Sequence, residues 1–466
     1  MVKKQSATLV GQVDPEVLAY TAGRDVILDR ELIEADCLGT AAHVVMLGRL
    51  RLKPPLLTVA EAAQVVAALR QLVTAARAGQ FQIELADQDV HLAIERALTA
   101  QLGELGKRVH TGRSRNDQVA LALRLWAKMQ LTAVVREQAD LAGVLLKLAR
   151  RTARWVMVGR THMQPAMPSS LGLWAGAHAE SLMDDLGGLL QVYDLNDQSP
   201  LGAAAGYGVP LPLNRELVSN LLGFGRPPGN VLYAVTARGK IEAALLMALT
   251  QTMLSVSRLA ADLVLFSMPE FGYVLWPRTL GTGSSIMPQK NNPDVCELAR
   301  AKAARVCGEL NTVLGVVRGL PGGYQRDVQE TKEPVMRGMA ETRATLRVLT
   351  RVLPDLTFDR AALARGFTPA VFATDAALER VAGGMPFREA YQQVKEQLAT
   401  VGAGNPEDAL AARVSRGAPG NLALEDLTAR LSAARAWVRD EERALGKALR
   451  GWWGPYEPAR ALPLSS

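Results

Sequence analysis

The sequence predicts an all-α fold of three helical domains, the central one a bundle of long helices. Three observations carry this reading. Hydrophobic residues make up 48% of the 466-residue chain and charged residues 21%, the balance of a protein that buries a large core. Aromatics are only 5%, so the core is aliphatic, and Leu and Ala favour helices over strands. Prolines are absent from Asp117 to Gln164, from Ser169 to Ser199, from Gly229 to Met268 and from Asp294 to Leu320.

Residues 1–113 read as an N-terminal domain of shorter amphipathic helices, with Pro54 and Pro55 in one connection and Gly103–Gly106 in another. Residues 114–363 form the central domain. A Pro-free stretch with apolar residues three and four apart reads as one helix, and Leu245, Leu249, Met253, Val256, Leu259 and Leu263 make such a stripe. At 1.5 Å per residue these helices reach about 45–60 Å. Helices that long need long partners, so the expectation is a bundle buried further by oligomerisation. Residues 364–466 return to short helices broken at Gly417–Asn421, and the tail from Pro455 reads as frayed or as a docking strap.

The net charge is +7, yet no run of five Lys or Arg occurs. That pattern fits a mildly basic metabolic enzyme that concentrates small anions, with no nucleic-acid partner. Cys37, Cys296 and Cys307 have no paired spacing, which argues against disulfides and a cysteine zinc site. The N-terminus lacks the apolar stretch of a secretory signal. The apolar run near Ala243–Thr250 is interrupted by Gln251, Arg258 and Asp262, short of the ~20 residues that span a bilayer. The expectation is a cytoplasmic protein with no membrane contact.

Three polar segments sit where long helices should begin or end. His110 to Gln118 reads HTGRSRNDQ; arginines, a Ser and an Asn at a helix N-terminus, capped by Asn116 or Asp117, make a natural carboxylate site. Gly159 to Pro165 reads GRTHMQP. His162 lies there in a short polar turn and is the best proton-transfer candidate, whereas His43, His91 and His178 fall in helical patterns. No His-x-x-x-His pair exists, so no metal is expected. Gly281 to Asp294 reads GTGSSIMPQKNNPD, a mobile loop whose N–H groups can face an anion, with Lys290 and Asn292 adding a cation and an amide.

GSSIMPQKNNPD resembles the signature of the fumarase/aspartase superfamily. The order of motifs is also similar: Asp89 in QDVH, then TGRSRND, GRTHMQPA, the Ser loop and GGYQRDVQETKE. TGRSRNDQ together with Met-Pro-Gln-Lys resembles the argininosuccinate lyase branch, over nearly the whole chain. The resemblance implies the superfamily's central-bundle fold, no cofactor and no metal, and reversible release of arginine and fumarate from argininosuccinate by β-elimination, in arginine biosynthesis. It implies Ser284 as the base toward carbon, Lys290 as its electrostatic support, His162 as acid toward the leaving nitrogen and Glu297 as the carboxylate partner of that histidine. Asp89, Ser114, Arg115, Asn116, Thr161, Gln164, Asn292, Tyr324, Gln329 and Lys332 become substrate-binding positions. The partners implied are a small substrate carrying a dicarboxylate and three further copies of the chain, in a homotetramer with sites shared between subunits.

The chain departs from the common family pattern in three places. Tyr233 to Gly239 reads Tyr-Ala-Val-Thr-Ala-Arg-Gly where many members have Asp-Ala-x-Ser-x-Arg-Asp. Asp25 stands where a Ser is often found. Pro200 to Glu216 differs from the usual Gly-Ala-Leu-Ala-Gly form. All three bear on the substrate's non-fumarate end, so the runner-up reading is a related lyase for another N-substituted aspartate. A non-catalytic structural protein on the same fold is the rival outside enzymes, and the presence of both Ser284 and His162 argues against it.

Overall fold

Several helices of the computed structural model begin where a small polar side chain takes up free N–H groups, Thr58, Asp89, Ser114 and Ser170 among them. The structure describes residues 6–8 and 11–456; the tail after Tyr456 lies outside them. A short hairpin, β1 (Ser6–Thr8) and β2 (Gly11–Val13), precedes α1 (Pro15–Ala22), α2 (Asp25–Leu28), α3 (Ile33–Leu47), α4 (Val59–Arg77), α5 (Val90–Leu102) and α6 (Glu104–Lys107). In α4 the Thr58 hydroxyl and the Glu61 carboxylate satisfy each other's backbone N–H groups, a reciprocal cap.

The bundle follows. α7 (Arg115–Arg151) has 37 residues, about 55 Å at 1.5 Å per residue. α8 (Leu171–Asn196), the short α9 (Arg215–Leu221) and α10 (Val231–Thr236), α11 (Lys240–Phe266), α12 (Asp294–Val317) and α13 (Lys332–Val352) come next. α7 packs along α8 and α13, and α11 along α8, α12 and α13. Leu131, Leu141 and Leu145 of α7, Leu189 of α8, Leu249, Met253 and Val256 of α11, Val306 of α12 and Leu346 and Leu349 of α13 are fully buried. One polar contact crosses this core. Gln138 of α7 donates to Leu182 O of α8 at 2.7 Å and accepts from the Thr252 hydroxyl of α11 at 2.9 Å. A buried amide needs such partners, so it fixes the relative register of three helices.

The fold corrects four sequence expectations. The Pro-free stretch to Gln164 is not one helix: α7 ends at Arg151, and β3 (Val156–Thr161) pairs with β4 (Gln164–Ser170) as an antiparallel hairpin. β-Branched Val156 and Val158 favour the strand, and the hairpin carries His162 away from the bundle. The stretch from Gly229 breaks at Gly239, whose φ of +82° no ordinary helix residue adopts. The C-terminal segment is not short helices alone. After α14 (Arg360–Ala364), α15 (Ala373–Ala382), α16 (Phe387–Glu396) and α17 (Pro406–Ala411), α18 (Leu424–Arg450) runs 27 residues back along α7 and α8. Finally, α11 is long and apolar enough to cross a membrane by composition, with a mean hydropathy of 1.3 over its most apolar window; its stripe is instead spent against α8, α12 and α13.

Four further two-residue strands matter for position. β5 (Val274–Leu275) pairs with β8 (Thr357–Phe358), and β6 (Thr282–Gly283) pairs with β7 (Asn291–Asn292). The second pair closes the base of the serine loop. On the outer faces of α11, α12 and α13, Met247, Leu254, Leu298, Leu314 and Val348 remain exposed, so the flanking segments leave part of the apolar surface uncovered.

Close helix contact makes a stability prediction. A Cβ on Gly172, in the first turn of α8, would stand 2.5 Å from Ala153 Cα and 2.7 Å from Ala149 O. Both are backbone atoms and cannot swing aside, so Gly172→Ala should cost about 1–3 kcal/mol through overpacking. Gly446 of α18 has nothing within 4 Å of the same position, and Gly446→Ala should be neutral or stabilising by up to about 1 kcal/mol. Urea unfolding of the two variants measures both; equal midpoints would refute the packing argument.

Candidate active site

The start of α7 is built by a reciprocal cap. Ser114, and neither Asn116 nor Asp117, is the capping residue: its hydroxyl accepts from Asn116 N, and Asp117 in the first turn accepts from Ser114 N at 3.0 Å. Asp117 is fully buried and also accepts from Gly202 N and Ala204 N, at 3.0 and 2.8 Å. Burial pushes its carboxyl up to about 6 in spite of these N–H groups. The divergent 200–216 segment is thereby fastened to the helix that presents Ser114, Arg115 and Asn116.

Arg115 does not project freely. Its Nε donates to Asp89 Oδ2 at 2.8 Å, a second guanidinium nitrogen closes the same pair, and Nη1 reaches Gln88 Oε1 at 3.4 Å. Asp89 is buried and caps α5 by accepting from Leu92 N. Burial alone would raise its pKa, but His91, Arg115 and the Leu92 N–H together outweigh it and hold the carboxyl below its usual range. His91 is itself paired at 2.8 Å with Asp36. Burial opposes its charge, but Asp36, with Asp89 and Asp29, outweighs burial and raises its pKa.

A second corner adjoins the first. Lys332, at the start of α13, is 1% exposed and lies 2.5 Å from Asp29 and 3.0 Å from Asp25. The other oxygen of Asp29 accepts from Val90 N at 3.1 Å, next to Asp89. Burial disfavours the Lys332 charge, but Asp29 and Asp25 more than compensate and raise its pKa. Desolvation raises Asp25 to about 6 against the pull of Lys332. Gln329 donates to Thr21 O at 3.1 Å, while Tyr324 packs, half-buried, against Ala203, Ala234 and Val235.

The histidine turn stands apart. Thr161 pairs with Gln164, so His162 and Met163 form a two-residue turn in which both have positive φ, +51° and +65°. Mirror-type hairpin turns require this, and Asn-Gly is the sequence that adopts it with least strain. His and Met there store strain, which marks functional sites more often than plain connections. Thr161, His162, Met163 and Gln164 are all exposed. Arg160 steadies the turn by donating to Met163 O at 3.1 Å.

The serine loop stands apart again. Ser284 Oγ accepts from Met287 N at 3.1 Å and from Ile286 N at 3.3 Å, so two N–H dipoles point at that oxygen. Lys290 is exposed on the same loop, Asn292 is half-buried at its base opposite Thr282, and Glu297 is exposed in the first turn of α12. Asn291 anchors the loop by donating to Trp276 O at 2.8 Å.

One chain therefore links Lys332 through Asp29 and the start of α5 to Asp89 and Arg115, with Ser114 and Asn116 flanking Arg115 and Gln329 three residues before Lys332. Among the described residues no hydrogen bond or ion pair links this cluster to the histidine turn or the serine loop. Sequence reading missed Asp29 and Gln88. The spacing of Asp25 and Asp29, four apart and so on one helical face, was the available signal.

Comparison with other proteins bears on the family and the fold. The sequence model of a family described as Lyase matches residues 37–308. The chain is 47% identical over 421 residues to an argininosuccinate lyase of Sorangium cellulosum, covering 90% of this chain and 97% of the relative. It is 41% identical to one from Stenotrophomonas maltophilia, with the same two shares covered. Among solved structures, a variant of EDDS lyase with bound fumarate superposes with a TM-score of 0.79 at 25% identity, over 93% of each chain. The class II fumarase of Schistosoma mansoni shares the fold, with a TM-score of 0.67 at 18% identity over 87% of this chain and 98% of its own.

The strained turn yields a paired prediction. Replacing His162 and Met163 by Asn and Gly should stabilise the hairpin by about 1–3 kcal/mol and raise the thermal midpoint. Because the imidazole is lost, turnover at the site should collapse in the same variant. A midpoint that falls would show that the turn is not strained.

Proposed function

The chain belongs to the argininosuccinate lyase family, and we propose how its residues divide the family's reaction among them. The protein is a carbon–nitrogen lyase that cleaves argininosuccinate to arginine and fumarate. The observation that carries the mechanism is the pair of N–H groups on Ser284 Oγ.

A serine hydroxyl is a weak base in water. Two backbone donors held on its oxygen favour the alkoxide, and preorganised donors of this kind are worth about 3 kcal/mol each in enzymes that stabilise oxyanions. Ser284 removes the proton from the carbon beside a succinate carboxylate. The electrons pass into that carboxylate, giving a doubly charged aci-carboxylate, which Lys290 and Asn292 stabilise. The carbon–nitrogen bond then breaks and its electron pair stays on the guanidino nitrogen. His162 delivers a proton to that nitrogen, and Glu297 is the carboxylate that partners the histidine. Ser114, Arg115, Asn116, Thr161 and Gln164 hold the substrate, with Asp89 fixing the Arg115 fork. Gln329 and Tyr324, the latter packed against Ala203, Ala234 and Val235, are further substrate contacts.

The placement of these groups supports an assembled site. His162 sits on an exposed turn and Ser284 on a separate loop, and among the described residues no hydrogen bond or ion pair joins either to the Arg115 cluster. The exposed Met247, Leu254, Leu298, Leu314 and Val348 lie on α11, α12 and α13. A closed symmetric oligomer buries such stripes. The reading is a homotetramer in which three chains contribute to each site, acting in arginine biosynthesis in the cytoplasm.

Two outcomes test this. Ser284→Ala should lower turnover at least ~10²-fold, the low end for losing a general base, with substrate binding little changed; release of fumarate followed by absorbance reads it, and near-normal turnover would remove Ser284 from the role. Ser284→Ala and His162→Asn, each inactive alone, should regain part of the activity when mixed after mild dissociation. If mixed oligomers form and stay as inactive as their parents, the shared site is wrong.

A further inference from the structure

A cavity of about 240 Å³ lies between the N-terminal helices and the bundle. The turn Asp29–Leu32, α3 and α4 line one side, α7 lines the other, and Tyr456 completes the wall. None of its lining residues is among the substrate positions named above. Clefts that hold drug-sized ligands measure about 300–1,000 Å³, so this one suits something smaller.

The walls are mostly apolar: Phe81, Trp126 and Tyr456, with Val73 and Met129. Some of the polar groups set in them are spent. Glu34 is closed on Arg77 at 2.9 Å, and the Tyr456 hydroxyl donates to Met129 Sδ at 2.8 Å. Others are open. Arg30 is exposed and makes no hydrogen bond or ion pair with another described residue. Glu31, the next residue, also lines the cavity and forms no ion pair there. Burial pushes its carboxyl above the usual range, against the pull of Arg343 and Trp126. Trp126 is 5% exposed, and its indole N–H has no hydrogen-bond partner of normal geometry. A buried donor left open is costly, and an acceptor on a bound molecule relieves that cost.

We propose that this cavity is a binding site for a free α-amino acid with an apolar side chain. Arg30 and Glu31 are adjacent, opposite in charge and unpaired, which matches the two charges of a zwitterion. Arg30 takes the carboxylate and Glu31 the ammonium. The Trp126 N–H is a second donor to the carboxylate, and the aromatic walls take the side chain. An apolar acid without the ammonium leaves Glu31 with no counter-charge; an amine without the carboxylate leaves Arg30 and the indole N–H unused. Both charges stand on the turn that begins with Asp29, so an occupant braces the segment that carries the partner of Lys332.

The test is calorimetry on the full chain with phenylalanine and leucine, each beside its deaminated and its decarboxylated analogue. At least one of the two amino acids should bind, and both of its analogues should bind at least ~10-fold more weakly, the loss of one charge-assisted contact. The thermal midpoint should rise with the concentration of that amino acid. Glu31→Gln should close the gap between the amino acid and its deaminated analogue, and Arg30→Gln the gap to its decarboxylated analogue. Saturating arginine should leave the affinity unchanged. Absence of binding by both amino acids overturns the proposal. So does displacement by arginine, which would put the probe in the reaction site, or an affinity that neither Arg30→Gln nor Glu31→Gln alters.

Discussion

The buried ion pair of Asp29 and Lys332 joins residues 303 apart in sequence, and the substrate cluster is organised around it. One oxygen of Asp29 takes the lysine and the other takes Val90 N, which sets the start of α5 and hence Asp89. Asp89 in turn fixes Arg115. Neither charge has an alternative partner in water at that depth. Removing one member of such a pair typically costs about 3–5 kcal/mol, because the other is left buried and uncompensated. The pair therefore specifies one docking of the N-terminal helices on the bundle.

Function is concentrated where helices start. Ser114 opens α7, Asp89 caps α5, Glu297 lies in the first turn of α12 and Lys332 begins α13. Free N–H groups and the positive end of the dipole gather at such places, which suits a substrate with several carboxylates. The exceptions are His162, on a strained turn, and Ser284, on a loop held by Arg278 at Pro288 O and by Asn291 at its base.

Much of the site was legible because motifs of polar residues interrupt long apolar periods. The segments holding Ser114, His162 and Ser284 each stood out in this way, and their residue types already matched the chemistry. Other features were not legible. Val156 to Ser170 forms a hairpin, and nothing in the absence of prolines distinguishes that from a continued helix. Ser114 caps α7 in preference to Asn116 or Asp117 because Asp117 is recruited by Gly202 N and Ala204 N, a partnership 85 residues away. α18 has a polar-rich sequence broken from what precedes it, and its length shows only once it lies along α7 and α8.

The sequence by itself determined the helical class, the long central helices and the polar segments that hold the candidate reacting groups, since each rests on local propensity, periodicity or a short motif. Tertiary structure alone decided how charges pair: that Arg115 closes on Asp89 and that Lys332 is enclosed. It also decided that, among the described residues, no hydrogen bond or ion pair joins the Arg115 cluster to His162 or Ser284. Pairing and exposure depend on which distant segments meet and how much water is excluded between them, and neither quantity is written in the spacing of residues along a helix.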